Sequence, residues 1–157
     1  MYNKKNLIFY MLLCLATIGL DQASKWIVLS NLNINSNVQV FNGFNLVLAF
    51  NYGTSFGLLS PNTMYGTYCL IGFSILLIVI LLCAFLKLKN KIERILLSIL
   101  VGGAIANLID RIIHGAVIDF IDIYYKTWHW PAFNLADVSI TCSAVSLVLY
   151  NLLKDNK

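Results

Sequence analysis

Four stretches of mostly apolar residues, each near the roughly 20 residues needed to cross the hydrocarbon of a bilayer, constrain what this chain can become. They run approximately from Leu7 to Leu29, Tyr65 to Leu86, Ile95 to Ile113 and Leu135 to Leu153. With 59% hydrophobic residues, only 11% charged residues and a mean hydropathy of +0.78, the composition excludes an ordinary soluble domain. The expected fold class is an all-α membrane protein with four transmembrane helices, residues 1–157 making a single integral membrane domain. No internal repeat, Pro-rich linker or low-complexity segment divides the chain.

Four crossings put both termini on one side. Of the eleven Lys and Arg residues, Lys4, Lys5, Lys87, Lys89, Lys91, Arg94, Lys154 and Lys157 all fall on that side, which the positive-inside rule makes cytoplasmic. Lys25, Arg111 and Lys126 lie toward the other face, and no basic stripe offers a track for a nucleic-acid backbone. The acidic residues divide the opposite way. Glu93 and Asp155 are cytoplasmic, whereas Asp21, Asp110, Asp119, Asp122 and Asp137 map to the outer ends and outer loops. Lys4 and Lys5 before Leu7 to Leu20 also have the outline of a cleavable signal peptide. No small-x-small cleavage site follows, so the segment reads as a retained first span.

Between the first and second spans, VQVFNGFNLVLAF carries Asn42-Gly43 between partly alternating runs, a pair suited to the positive φ angles of a type I′ turn. A small outer β element is expected over roughly residues 38–57, as a structural cap or as an edge for an extended peptide. The second outer connection, Gly115 to Phe133, carries Tyr124, Tyr125, Trp128 and Trp130 and reads as an interfacial loop anchored among headgroups. Cys14, Cys69, Cys83 and Cys142 each lie in an apolar run without ligand spacing and read as small buried hydrophobes. His114 and His129 are not spaced to chelate together and read as ordinary interfacial residues. No metal or cofactor is expected.

Asp21 and Lys25 share one helix face, where an ion pair lowers the cost of placing either near hydrocarbon; a catalytic lysine is the sharper alternative. Gly102 and Ala106 form a small-xxx-small pair that admits a neighbouring helix. Asn107, Asp110 and Arg111 can face inward together, as structural clamps or substrate contacts. Asp119 follows AVI and precedes Phe120, an apolar setting for a carboxylate. Asp137 follows Asn134 by three residues, so Asn134 is a candidate N-cap and Asp137 a complement to the helix dipole or a catalytic group. Should Asp119 and Asp137 converge, the pair could share a proton, one acting as base toward water while the other donates to a carbonyl.

Together, DQASK at 21–25, NYGTSFG at 51–57, GGAIANLIDR at 102–111, GAVIDF at 115–120 and FNLAD at 133–137 resemble the bacterial lipoprotein signal peptidases, or signal peptidase II. The likeness extends over nearly the whole chain, with the motifs in order. Ala106, in place of a usual glycine, and Thr54-Ser55, in place of small apolar residues, depart from the pattern.

The resemblance implies a membrane aspartyl endopeptidase that removes signal peptides from diacylglyceryl-modified prolipoproteins, cutting before the lipidated cysteine. Under it Asp119 and Asp137 are the catalytic dyad. Asp21, Asn51, Gly53, Asn107, Arg111 and Asn134 shape the pocket or contact substrate or the inhibitor globomycin, while Lys25 and Asp110 give support. It implies a monomer in the bacterial cytoplasmic membrane, bound to membrane lipid, with its active site toward the outer face. Three rivals remain from the residues alone: a carboxylate-relay transporter, a metal-dependent hydrolase and a noncatalytic assembly protein.

Overall fold

The computed structural model describes residues 4–34, 36–53 and 64–155. Thr54 and Ser55, with the rest of their motif beyond Gly53, lie outside the described residues. Among the described residues, four helices are long and apolar enough to span a membrane: α1 (Lys4–Asn31), α2 (Met64–Lys87), α3 (Lys91–His114) and α4 (Leu135–Asp155). They contain the four apolar stretches, extended by about a turn where polar residues continue the helix. The helix α3 is the hub, packing against α1, α2 and α4. Half of its most apolar window is buried, against 11% for each of the others.

Two adjacent glycines explain that central position. A Cβ on Gly102 would stand 2.8 Å from the Cys14 carbonyl oxygen of α1, and one on Gly103 would stand 2.8 Å from the Ala136 carbonyl oxygen of α4. Missing side chains let both neighbours approach the backbone of α3, as association between membrane helices favours. Ala106, one turn on from Gly102, is fully buried and its methyl group is accommodated in the same packed seam.

The ends of α3 are sharply defined. Asn90 caps its start by accepting hydrogen bonds from the Ile92 and Glu93 amides at 2.8 and 3.3 Å. Gly115, at φ +71°, closes its end by donating its N–H to the Arg111 carbonyl. That left-handed residue turns the chain directly into a strand.

A four-stranded sheet in the order β1-β2-β3-β4 sits at this end of the bundle: β1 (Asn37–Phe41), β2 (Phe44–Asn51), β3 (Val117–Tyr125) and β4 (Trp128–His129). The Asn42-Gly43 hairpin is formed, with Gly43 at φ +95°. The expected interfacial loop after α3 instead holds β3 and β4, with β3 pairing antiparallel to β2. Period-two alternation fails to announce β3 because the strand is buried on both faces from Val117 to Phe120. Its core partners are Val28 of α1 and Leu48 of β2, packed with Ile118 and Phe120. The loop's aromatic character persists at the tip, where Tyr125, Trp128 and Trp130 are exposed.

The cysteines correct one expectation. Cys69, Cys83 and Cys142 are exposed and Cys14 is only half-buried. In a bilayer the apolar solvent is outside, so small hydrophobes are stable on the outer surface, beside exposed residues such as Leu76, Ile80 and Leu149.

Candidate active site

The polar residues of three helices and two strands meet where the sheet joins the bundle. Deepest is Lys25, whose Nζ lies 2.7 Å from Asp21 Oδ2 and 2.6 Å from Asp110 Oδ2, and donates to Asn107 Oδ1 at 3.0 Å. All three charged residues are almost completely buried, which is tolerable only because the one ammonium meets both carboxylates and further donors meet the two acids. The i, i+4 pair expected from sequence is therefore part of a triad spanning α1 and α3.

Each acid of the triad fixes a further element. Asp21 Oδ1 accepts the Ala136 N–H at 2.8 Å and so pins the first turn of α4. Asp110 accepts from Gln22 Nε2 at 2.7 Å and from the Ile118 N–H at 3.2 Å, fastening β3 to α3. Gln22 also donates to the Ala106 carbonyl. Spacing does not single out Gln22, although an amide inside an apolar span is itself a signal that a polar partner is near.

From this base the network climbs through two asparagines. Asn107 accepts from Lys25 and donates through Nδ2 to Asp137 Oδ1 at 2.9 Å. Asn134 caps α4 as its spacing implied: its Oδ1 accepts the Asp137 N–H at 2.9 Å, and its own N–H donates to Asp137 Oδ2 at 3.2 Å. The opposite end of the same side chain, Nδ2, donates to Asp119 Oδ1 at 2.7 Å.

Asp119 and Asp137 are thereby held by one intervening residue. Asp119 is buried, and its second oxygen accepts from Asn51 Nδ2 at 3.0 Å. Asn51 is itself oriented by the Gly53 N–H, which donates to its Oδ1 at 2.9 Å. Gly53 needs its hydrogen side chain, because φ is +82° and a Cβ would lie 2.5 Å from Leu70 Cδ1. Burial pushes the Asp119 carboxyl up from its ordinary value of 3.8 to about 6, with the charge of Asp137 adding to the shift and the Asn51 and Asn134 donors opposing it. Asp137 is less enclosed.

Arg111 is half-buried beside the pair, its Nη1 donating to the Asn107 carbonyl at 3.3 Å, and its charge interacts with Asp137, Asp110 and Asp119. Every residue expected at the site is thus in one connected region. Asp122 lies apart from Asp119, bound to Asn45 and His129.

The arrangement of four spans with a sheet at one end and a polar floor is that of a multi-pass membrane enzyme. Two solved structures, each titled as a bacterial membrane enzyme, match with TM-scores of 0.80; one is 28% identical over 95% of this chain and 90% of its own, the other 30% identical over 94% of both. The family model described as signal peptidase (SPase) II matches residues 13–153. Lipoprotein signal peptidases of Polynucleobacter necessarius and Serratia marcescens are 36% and 39% identical, over 95% and 85% of this chain and 91% and 78% of theirs. The chain belongs to the signal peptidase II family and is a membrane protease.

Proposed function

We propose that this protease cleaves diacylglyceryl-modified prolipoproteins just before the lipidated cysteine, using Asp119 and Asp137 as its catalytic pair. The observation that carries the reading is the shared clamp of Asn134, which donates to Asp119 from its side chain and to Asp137 from its backbone. Two carboxyls so held can share one proton. One carboxylate removes a proton from water as its oxygen attacks the scissile carbonyl carbon. The other carboxyl donates its proton to the carbonyl oxygen, giving a neutral tetrahedral intermediate. Collapse of that intermediate breaks the C–N bond and returns a proton to the leaving amine. The burial that raises Asp119 favours it as the proton-bearing member before attack.

The substrate follows from the setting. A signal helix in the bilayer and acyl chains in the outer leaflet bring the scissile bond to the surface where the aspartates gather. Positive residues at the opposite end put both termini in the cytoplasm and the site toward the outer face of the cytoplasmic membrane. Asn51, Gly53 and Arg111 surround the pair and contact the substrate or a globomycin-type cyclic peptide. Asp21, Lys25 and Asp110 form the floor, and the enzyme works as a monomer.

The test is cleavage of a purified diacylglyceryl-prolipoprotein by the purified protein and by Asp119→Asn and Asp137→Asn. Near-total loss of turnover is expected in each variant, with the fold retained and wild-type cleavage unaffected by a chelator. Substantial turnover in either variant would falsify the pair.

A further inference from the structure

The strand β3 carries a second buried carboxylate, Asp122, which the chemistry above does not use. It accepts from Asn45 Nδ2 of β2 at 2.7 Å and lies 2.9 Å from His129 Nδ1 of β4 through both oxygens. Asn45 and Asp122 are both buried and directly paired across the strands. Asp119 and Asp122 lie on the same face of β3, because the Phe120 and Ile121 N–H groups both donate to the Phe133 carbonyl and Ile118, Phe120 and Ile121 all turn to the core, which breaks the alternation between the two aspartates.

The pairing of β2 with β3 is irregular between these two positions. Leu46 pairs with Ile121 and Ala49 with Asp119, so β2 spends one more residue than β3 over the same interval. Along β2 the alternation is kept, with Leu46, Leu48 and Phe50 all packed on the core cluster, so the break in facing falls on β3. Asn45 and Asn51 therefore share the face of β2 turned away from the core: Asn45 holds Asp122 on one side of the irregularity and Asn51 holds Asp119 on the other. A bulge is a point where register can slip, and a slip of one residue would turn Asn51 away from Asp119.

We infer that Asn45 and Asp122 are positioning residues, whose contact beyond the irregularity holds β2 in the register that delivers Asn51 to Asp119. His129, stacked on Tyr124 with ring centroids 5.0 Å apart, braces Asp122 from the far strand. The inference gives the family reading a further part of its machinery and rests on that reading only for its effect on turnover.

The test reads the Asp119 carboxyl directly. Facing it are Asn51 from β2, Asn134 and Asp137 at α4, Lys25 from α1 and Arg111 from α3. Asn51 is the group that would be lost if β2 slipped, and it holds Asp119 down. Carbon-13 NMR of Asp-labelled protein in micelles, with Asp119→Asn assigning the resonance, gives its titration midpoint. Asn45→Val should move that midpoint upward by about half a pH unit or more, as Asn51→Ala does, and adding Asn45→Val to Asn51→Ala should move it no further. Asp122→Asn, which keeps an acceptor for Asn45, should leave it near the wild-type value. Asn45→Ser carries the test if Asn45→Val does not fold. A midpoint unmoved in folded Asn45 variants, or shifts that add in the double variant, would overturn the inference. The NMR result stands whether or not the wild-type protein cleaves a prolipoprotein, so failure of the functional reading shows separately.

Discussion

Asn134 holds Asp119 with one end of its amide, at 2.7 Å, and caps the helix of Asp137 with the other. One side chain thus does two things that substitution can separate. Asn134→Asp keeps an oxygen for the cap but presents a second carboxylate to Asp119 in place of a donor. Stability should change by less than about 1 kcal/mol from the cap itself, whereas turnover should fall by roughly tenfold or more. Asn134→Ala loses the cap and the donor to Asp119, together with contacts to Asn107 and the Ile118 carbonyl, and should also cost about 1 kcal/mol or more of stability. Thermal unfolding in detergent and kcat, measured on the same preparations, distinguish the two effects.

The raised Asp119 carboxyl makes a prediction about stability. A carboxyl with a midpoint near 6 in the folded protein, against an ordinary 3.8, binds its proton more tightly folded than unfolded. Its contribution is fully present below the ordinary value and is lost as pH rises through about 6. The span corresponds to on the order of 1 to 3 kcal/mol. Unfolding of the wild type from pH 4 to 7 should therefore contain a declining component that Asp119→Asn lacks. Parallel curves for the two proteins would contradict the assignment.

The buried triad is predicted to fail asymmetrically. Lys25→Met leaves Asp21 and Asp110 facing each other without the ammonium that both contact. The loss should be about 3 to 5 kcal/mol, because two carboxylates are stranded in a dry interior. Adding Asp21→Asn and Asp110→Asn to Lys25→Met should recover a large part of that loss by removing the stranded charges. Denaturation monitored by tryptophan fluorescence in micelles checks the order of the three stabilities.

What could be seen in advance follows the range over which residues interact. Asp21 with Lys25, Asn134 with Asp137, and the Asn42-Gly43 turn all lie within a few residues, so local spacing and backbone preference announce them. Lys25 with Asp110 and Asn107 with Asp137 join different helices, and no local pattern encodes either pair. Periodicity does not announce β3 either, whose two buried faces hide the strand signal, and spacing places Asp122 only among the outer-face acids. The lipid-facing cysteines reveal an assumption carried over from water-soluble proteins: apolar character marks the interior only when the solvent is water.

The glycine pair of α3 supplies a prediction that couples packing to chemistry. Gly103→Ala would place a methyl group 2.8 Å from the Ala136 carbonyl oxygen and 2.9 Å from Ile140 Cγ1. Because Ala136 is backbone in the first turn of α4, relief must come from moving the helix that carries Asp137, and Asp137 is held to Asn107 across the same seam. Overpacking of this kind costs about 1 to 3 kcal/mol. A displacement of even a fraction of an ångström at a reacting carboxylate should reduce kcat by roughly tenfold or more. The control is Gly72→Ala in α2, where an added Cβ meets nothing within 4 Å. It should leave turnover unchanged and raise stability by up to about 1 kcal/mol through helix propensity. Equal kcat in Gly103→Ala and Gly72→Ala would show that the α3–α4 spacing does not govern the position of Asp137.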